Sequence, residues 1–419
     1  MSKLTILDNL SWRGSDKIYS LPWLRNRIEF SADPNRVKEF AKESAFTRSQ
    51  LTIDLLTRFH LSNNSIVVSH DEHAHFLRER FSRCLPKKEA YPEISQELID
   101  RLFCSMNDGS TNEEHHLSSE LIREVYISLL ENMLGANLST ELIQHIKDTK
   151  FKPGSRPVHL EGLMFAFSLQ LPGVSLMRNI VDFVYFRGEH YTRKIAKELE
   201  KLVDKHATPK DGSWLSVLLE LKEEGKITHP QYRGELTSML VSSFSLSSAL
   251  CSMLLCIAVL EEYVIKIREN EKMARCFVSE VLRLYSPFRR FGYEKKGTWE
   301  KRNKSATTAT DFMVSLSDLH RNEKAWKDPE KFYPERFLTP GIAGGYKYLP
   351  FGMGNRSCIG RSYSIQMMIN TLKYICSESF AWKLRLPKEY NGNHEGLPIP
   401  ISGRLVSFPV DDRINICSL

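Results

Sequence analysis

The chain has 419 residues, 42% hydrophobic and 26% charged, with a formal net charge of +7; this balance excludes an intrinsically disordered, collagen-like or fibrous protein. No long basic run or basic–aromatic alternation accompanies the positive excess, so no nucleic-acid partner is expected. Eight cysteines, at 84, 104, 251, 256, 276, 358, 376 and 417, contain no Cys-x-x-Cys pair, which argues against a zinc site or a disulfide framework and suits a reducing compartment.

Residues 1–30 interleave Arg13, Asp16, Lys17, Arg25 and Arg27 with apolar residues. Neither a secretory leader nor a membrane anchor is therefore expected, and the location expected is cytoplasmic. Apolar periodicity near 3.6 predicts helices over Pro34–Ser44, Leu117–Leu134, Arg193–Val203, Trp214–Glu224, Gly234–Arg268, Lys272–Leu284 and Gly360–Cys376. Short strand-like runs fall at Ser65–Val68, Phe312–Ser315, Phe380–Leu386 and Arg404–Val410. Asn107–Glu114 and Lys205–Gly212 read as surface loops, and Pro153–Gly173 as turn residues around an apolar centre. The most apolar stretch, Leu246–Leu260, is broken by Ser247, Ser248 and Ser252 and falls short of the roughly 20 residues that span a bilayer, so it reads as a buried helix. With no repeat and no linker, the reading is one mainly α domain over residues 1–419, with small peripheral β-sheets.

The chemistry concentrates in Tyr348-Leu349-Pro350-Phe351-Gly352-Met353-Gly354-Asn355-Arg356-Ser357-Cys358-Ile359-Gly360. One cysteine stands on a glycine-shaped loop just before an apolar helix. Glycines at 352, 354 and 360 permit close approach to a flat ligand, and a nearby arginine and the helix N-terminus favour a thiolate at Cys358. Upstream, Glu280 and Arg283 sit three apart on one helix face. Between them and the cysteine lies Asp328-Pro329-Glu330-Lys331-Phe332-Tyr333-Pro334-Glu335-Arg336-Phe337.

The order Phe-Gly-x-Gly-x-Arg-x-Cys-x-Gly closely resembles the heme-binding loop of the cytochrome P-450 family, of the soluble bacterial type. The segment around Arg336 is similar to the family's meander. The resemblance implies a cytochrome P-450-like fold, with heme b held between a long central helix and the cysteine-loop helix. It implies Cys358 as the axial iron ligand, Phe351 covering the sulfur, Gly352, Gly354 and Gly360 shaping the loop, and Arg356 on a heme propionate. Glu280, Arg283 and Arg336 would form a buried charge network that is structural. Asp71–Arg80 resembles the family's early helix with a histidine and an arginine, without the usual four-residue spacing; His73, His75 and Arg78 are the candidates there. Arg290 is a further propionate candidate.

On the central helix, family monooxygenases place an acid followed by a threonine. Here Ser245 and Leu246 take that place, and a shift of one residue keeps Ser247 as the alcohol. Neither register supplies an acid, and the serines could equally bond back to the helix. The activity expected is a monooxygenase of secondary metabolism, oxidising an apolar or amphipathic small molecule with O2. Its electrons would come from a ferredoxin with its reductase or a flavodoxin-type donor, steered to the face near Arg356 and Arg361. The missing acid keeps open a peroxygenase, a heme isomerase or dehydratase, and oxidative coupling of a peptide- or carrier-bound substrate.

Overall fold

A computed structural model describes residues 17–20, 26–43, 46–49, 65–68, 71–107, 115–151, 187–295, 309–386, 399, 408–409 and 411–418. After strands β1 (Lys17–Ser20) and β2 (Asn26–Ser31) come helix α1 (Pro34–Glu43) and strand β3 (Phe46–Arg48). Helices α2 (Asp71–Arg83) and α3 (Tyr91–Met106) lead to β4 (His115–His116) and α4 (Leu117–Ser128), which runs on into a π turn over Leu129–Met133. Strand β5 (Ala136–Leu138), helices α5 (Thr140–Asp148) and α6 (Arg187–His206), β6 (Ala207–Pro209) and α7 (Trp214–Glu223) precede the longest helix, α8 (His229–Val259). Then follow α9 (Glu262–Glu269), α10 (Glu271–Leu284), β7 (Arg290–Lys295), β8 (Ala309–Ser315), the single turn α11 (Leu316–Leu319), α12 (Arg361–Ile375), β9 (Trp382–Arg385) and β10 (Arg413–Ser418).

Local chemistry sets the helix starts. Ser139, Ser213 and Asn270 accept backbone N–H groups in the first turns of α5, α7 and α10, and Thr228 with Gln231 forms a capping box at α8, where Pro230 occupies the first turn. Packing then selects the faces. Helix α8 lies against α4, α12 against α3, and α10 against the 3₁₀ turn Pro334–Leu338. Leu236, Leu250 and Leu254 of α8 join Leu121 and Val125 of α4 in the main core. Among the described residues α8 alone is long and apolar enough to cross a membrane, and most of that stretch is buried inside the fold.

A five-stranded sheet has the order β1-β2-β8-β7-β3, parallel only between β2 and β8. It carries a second core of Val37, Phe40, Phe46, Tyr293, Phe312, Val314 and Met353, in which Phe40 stacks on Phe312 at 4.2 Å. Met353 belongs to the cysteine loop, so burying it, for roughly 1.5–3 kcal/mol, ties the loop to the sheet.

Several expectations need correction. Ser65–Val68 is a turn closed by the Val68 N–H on the Ser65 carbonyl, 3.0 Å; its β-branched residues pack on a helix rather than on a strand. Helix Gly234–Arg268 is two helices, α8 and α9, separated at Leu260. Lys205–Gly212 is not a loop throughout, because Ala207–Pro209 pairs with β5. Most of Arg404–Val410 and all of Pro153–Gly173 lie outside the described residues.

Candidate cofactor site

The loop before α12 is closed by its own backbone. Gly352 N–H donates to the Leu349 carbonyl at 3.0 Å, Ser357 N–H to Gly354 at 3.1 Å, and Cys358 N–H to Phe351 at 2.8 Å. Two glycines adopt left-handed angles, Gly352 at φ 73° and Gly354 at φ 63°. A Cβ on Gly354 would stand 2.4 Å from the Phe46 ring, so the loop lies flat on β3 because only glycine leaves room there. The Met353 N–H donates to the Tyr293 hydroxyl at 3.1 Å, and burial pushes that phenol's pKa up to about 12.

Cys358 retains open space at its side chain, yet burial is the largest influence on its thiol. The sulfur therefore borders an internal opening rather than the outer surface. The Gly360 N–H donates to the sulfur, and Arg78, Arg48 and Arg361 favour its ionisation, but desolvation outweighs them and raises the thiol pKa. Arginines thus favour the thiolate, as the sequence suggests, but burial opposes them. Coordination to a metal ion, whose charge deprotonates a thiol outright, would reverse the balance.

Glu280, Arg283 and Arg336 converge behind the loop, all buried. Glu280 pairs with Arg283 at 2.8 Å and with Arg336 at 3.1 Å, and also accepts the Tyr333 N–H at 2.8 Å. The two guanidiniums also donate to the carbonyls of His320, Pro329, Lys331, Lys327 and Asp328, so the meander is threaded onto α10. Asp328 holds φ 47°, a strained angle for a non-glycine residue, while its carbonyl accepts Arg336.

His320, which the sequence reading passed over, connects this network to the loop. Leu349 N–H donates to its Nε2 at 3.0 Å, and its Nδ1 lies 3.0 Å from the Arg283 carbonyl. Nε2 is thus the acceptor and Nδ1 carries the proton. Burial lowers its pKa to about 3, so the ring is neutral.

Of the early-helix candidates, only Arg78 is hydrogen-bonded to the loop among the described residues: its Nη2 donates to the Ser357 carbonyl at 2.7 Å. His73 lies 3.1 Å from the Gln231 side chain, in the capping box of α8. His75 is exposed, on the same side of α2 as the Glu79–Arg83 ion pair. Arg290 stacks over Phe30 in the sheet. Phe351 is half-buried against the main core. Arg356 is buried in the turn Gly354–Arg356, while Arg361, at the start of α12, is exposed.

A second missed residue is Arg48, at the end of β3. Burial lowers its pKa, and the neighbouring Arg78 lowers it further, while Cys358 raises it. Two like charges are thus held close to the thiol, and no carboxylate is ion-paired with either among the described residues. On the central helix, Ser245 is half-buried with its hydroxyl on the Ser242 carbonyl at 2.9 Å. Ser247 is fully buried, and its hydroxyl has no partner among the described residues.

These residues fit a heme: a thiol at an internal opening, glycines that keep Cβ atoms from the loop, and paired cations suited to an anionic edge. The family model for cytochrome P450 matches residues 13–388. The steroid 17-alpha-hydroxylase/17,20 lyase of Ovis aries is 40% identical over 103 residues, 24% of this chain and 17% of that protein. The probable cytochrome P450 4p2 of Drosophila melanogaster is 30% identical over 137 residues, 30% of this chain and 26% of that one. The cytochrome P450 3A40 of Oryzias latipes is 39% identical over 95 residues, 22% and 19% respectively. These matches span about a sixth to a quarter of the relatives' own lengths. With most of its length matched, with its cysteine loop, Glu-Arg-Arg network and long helix in the family's order, the chain belongs to the cytochrome P450 family.

Proposed function

We propose that the protein is a heme-thiolate monooxygenase that oxidises an apolar or amphipathic small molecule, using O2 and electrons from a separate donor of the ferredoxin or flavodoxin class. The carrying observation is Cys358, with the Gly360 N–H on its sulfur and Arg48 and Arg78 beside it. Bound heme would supply oxygen activation, with electron donation from the thiolate favouring O–O cleavage. Cys358 would hold the iron, and the Gly360 amide would temper the sulfur's donation. Arg48, Arg78 and Arg356 are the residues to receive propionates. The printed name of the sheep relative, a steroid hydroxylase and lyase, agrees with an apolar substrate. A cytoplasmic location and a role in secondary metabolism complete the reading.

A second reading rests on α8. Its central stretch, Val241 to Ala249, contains no acid, and Ser245 bonds back to its own helix. This favours a peroxide-driven or oxygen-independent heme reaction, or oxidative coupling of a tethered substrate. The test is the reduced, carbon monoxide-bound spectrum of the purified protein. A red-shifted band that Cys358→Ser abolishes supports heme-thiolate ligation, and its absence removes both readings. Turnover that requires O2 and a redox chain then selects the first.

A further inference from the structure

Glu235 is a buried acid that the chemistry above leaves unused. It lies on α8, and its Oε1 accepts the Ile66 N–H at 2.5 Å, across 169 positions of sequence. Among the described residues the turn it grips, Ser65–Val68, is closed by one backbone bond of its own, from the Val68 N–H to the Ser65 carbonyl. Val67 and Val68 pack with Val241 in a small apolar cluster separate from the main core. Val241 stands four residues, about one helical turn, before Ser245. Ile66 packs against the main core, and among the described residues the Glu235 carboxyl is the polar tether that fixes the turn to α8.

We propose that Glu235 is a positioning residue for the substrate pocket, holding the turn Ser65–Val68 against the central helix so that Val67, Val68 and Val241 form an apolar wall one turn from Ser245. The proposal deepens the monooxygenase reading and rests on it for the meaning of the pocket.

The surroundings keep the carboxyl neutral. Burial raises its pKa to about 8, against the opposing pull of the Ile66 N–H and the Ser238 hydroxyl. The charged or titratable groups nearby on packed elements are engaged elsewhere: Glu200 of α6 by Arg233 and Thr237, His73 of α2 by Gln231, and Lys222 of α7 over the Tyr232 ring. An opened turn frees the carboxyl to ionise near its ordinary 4.5, whereas the closed turn holds the proton to about pH 8, so the tether opens more readily as the pH rises between these values.

Amide exchange at Ile66, measured on the full, heme-loaded, substrate-free protein, tests the tether. Glu235→Leu is expected to lower protection of that amide about tenfold, while Glu235→Gln, whose side-chain oxygen still accepts the N–H, retains it. Corrected for intrinsic base catalysis, wild-type protection falls as the pH rises from about 4.5 toward 8 and levels off above that, and that of Glu235→Gln does not fall. Binding of 4-phenylimidazole and imidazole to the ferric heme reads the wall: Glu235→Leu changes affinity for the phenyl compound about tenfold and for imidazole little. Unchanged protection in Glu235→Leu overturns the proposal, as do equal responses to the two imidazoles. Should Glu235→Leu not fold, identical pH profiles for wild type and Glu235→Gln overturn it. Exchange at Ile66 is read whatever the heme does, so a protein with the tether but no thiolate spectrum fails the functional reading alone.

Discussion

Arg78 on α2 donates to the Ser357 carbonyl at 2.7 Å, one residue before the cysteine, so an early helix directly holds the loop that would bind iron. Arg78→Ala removes both that bond and a cation beside the sulfur. The expected loss is about 1.5 kcal/mol of loop stability, the lower end for a charged hydrogen bond at a half-buried site. Heme should transfer faster to apomyoglobin from this variant, with Arg78→Lys intermediate because it keeps the charge without the fork.

Glu280→Gln leaves Arg283 and Arg336 buried without their counter-charge. Removing one partner from such a network costs about 3–5 kcal/mol, and the loss should appear as a lowered denaturation midpoint and poor heme incorporation. Retention of wild-type stability would show that the meander carbonyls alone suffice for the two guanidiniums.

His320 gives the fold an acid sensitivity with a defined sign. Its native pKa is depressed to about 3, while the unfolded ring titrates near 6.5. The unfolded state therefore binds the extra proton between these values. Stability present above pH 6.5 falls by ~1.4 kcal/mol per pH unit as the pH drops toward 3. His320→Gln keeps an acceptor for the Leu349 N–H and should flatten this slope by one proton in denaturant titrations at pH 5, 6 and 7.

Gly354→Ala combines a left-handed angle with a Cβ driven into the Phe46 ring. Loss of bound heme is expected. Adding Phe46→Ala should restore part of it by making space, and the double variant's deficit relative to Phe46→Ala alone measures the angle, about 1 kcal/mol. No recovery in the double variant would mean that the Phe46 packing is itself required.

Ser247 and Ser245 should separate. The Ser247 hydroxyl is buried with no partner among the described residues, so Ser247→Ala should stabilise the protein by about 1 kcal/mol. Ser245→Ala, on the half-buried side, should leave stability nearly unchanged and alter the ratio of product to electrons consumed.

The sequence disclosed what is local. Cys358 and its glycines form one continuous motif, and Glu280 and Arg283 meet because they are three apart on a helix. Arg48 and His320 were illegible for the opposite reason. Each is a lone residue whose role exists only through partners on other elements: Cys358 and Arg78 for the first, Leu349 for the second. Periodicity also concealed the break at Leu260, which no glycine or proline marks; Glu261 and Glu262, at the start of α9, were the available signal. Helix α3 was missed although Ile94, Leu98 and Leu102 recur at helical spacing; Pro92, at its start, was the available signal. At Ser65–Val68 residue type suggested a strand, and packing against α8 overrode it.

The Arg78–Ser357 bond also sets a schedule for biosynthesis. Its partners are 279 residues apart, and at roughly 5–20 residues per second a ribosome takes about 14–56 s to cover that distance. Throughout that interval α2 is already made, while the thiol does not yet exist. A complete cradle for the cofactor thus awaits synthesis of the cysteine loop, and capture of the porphyrin follows it.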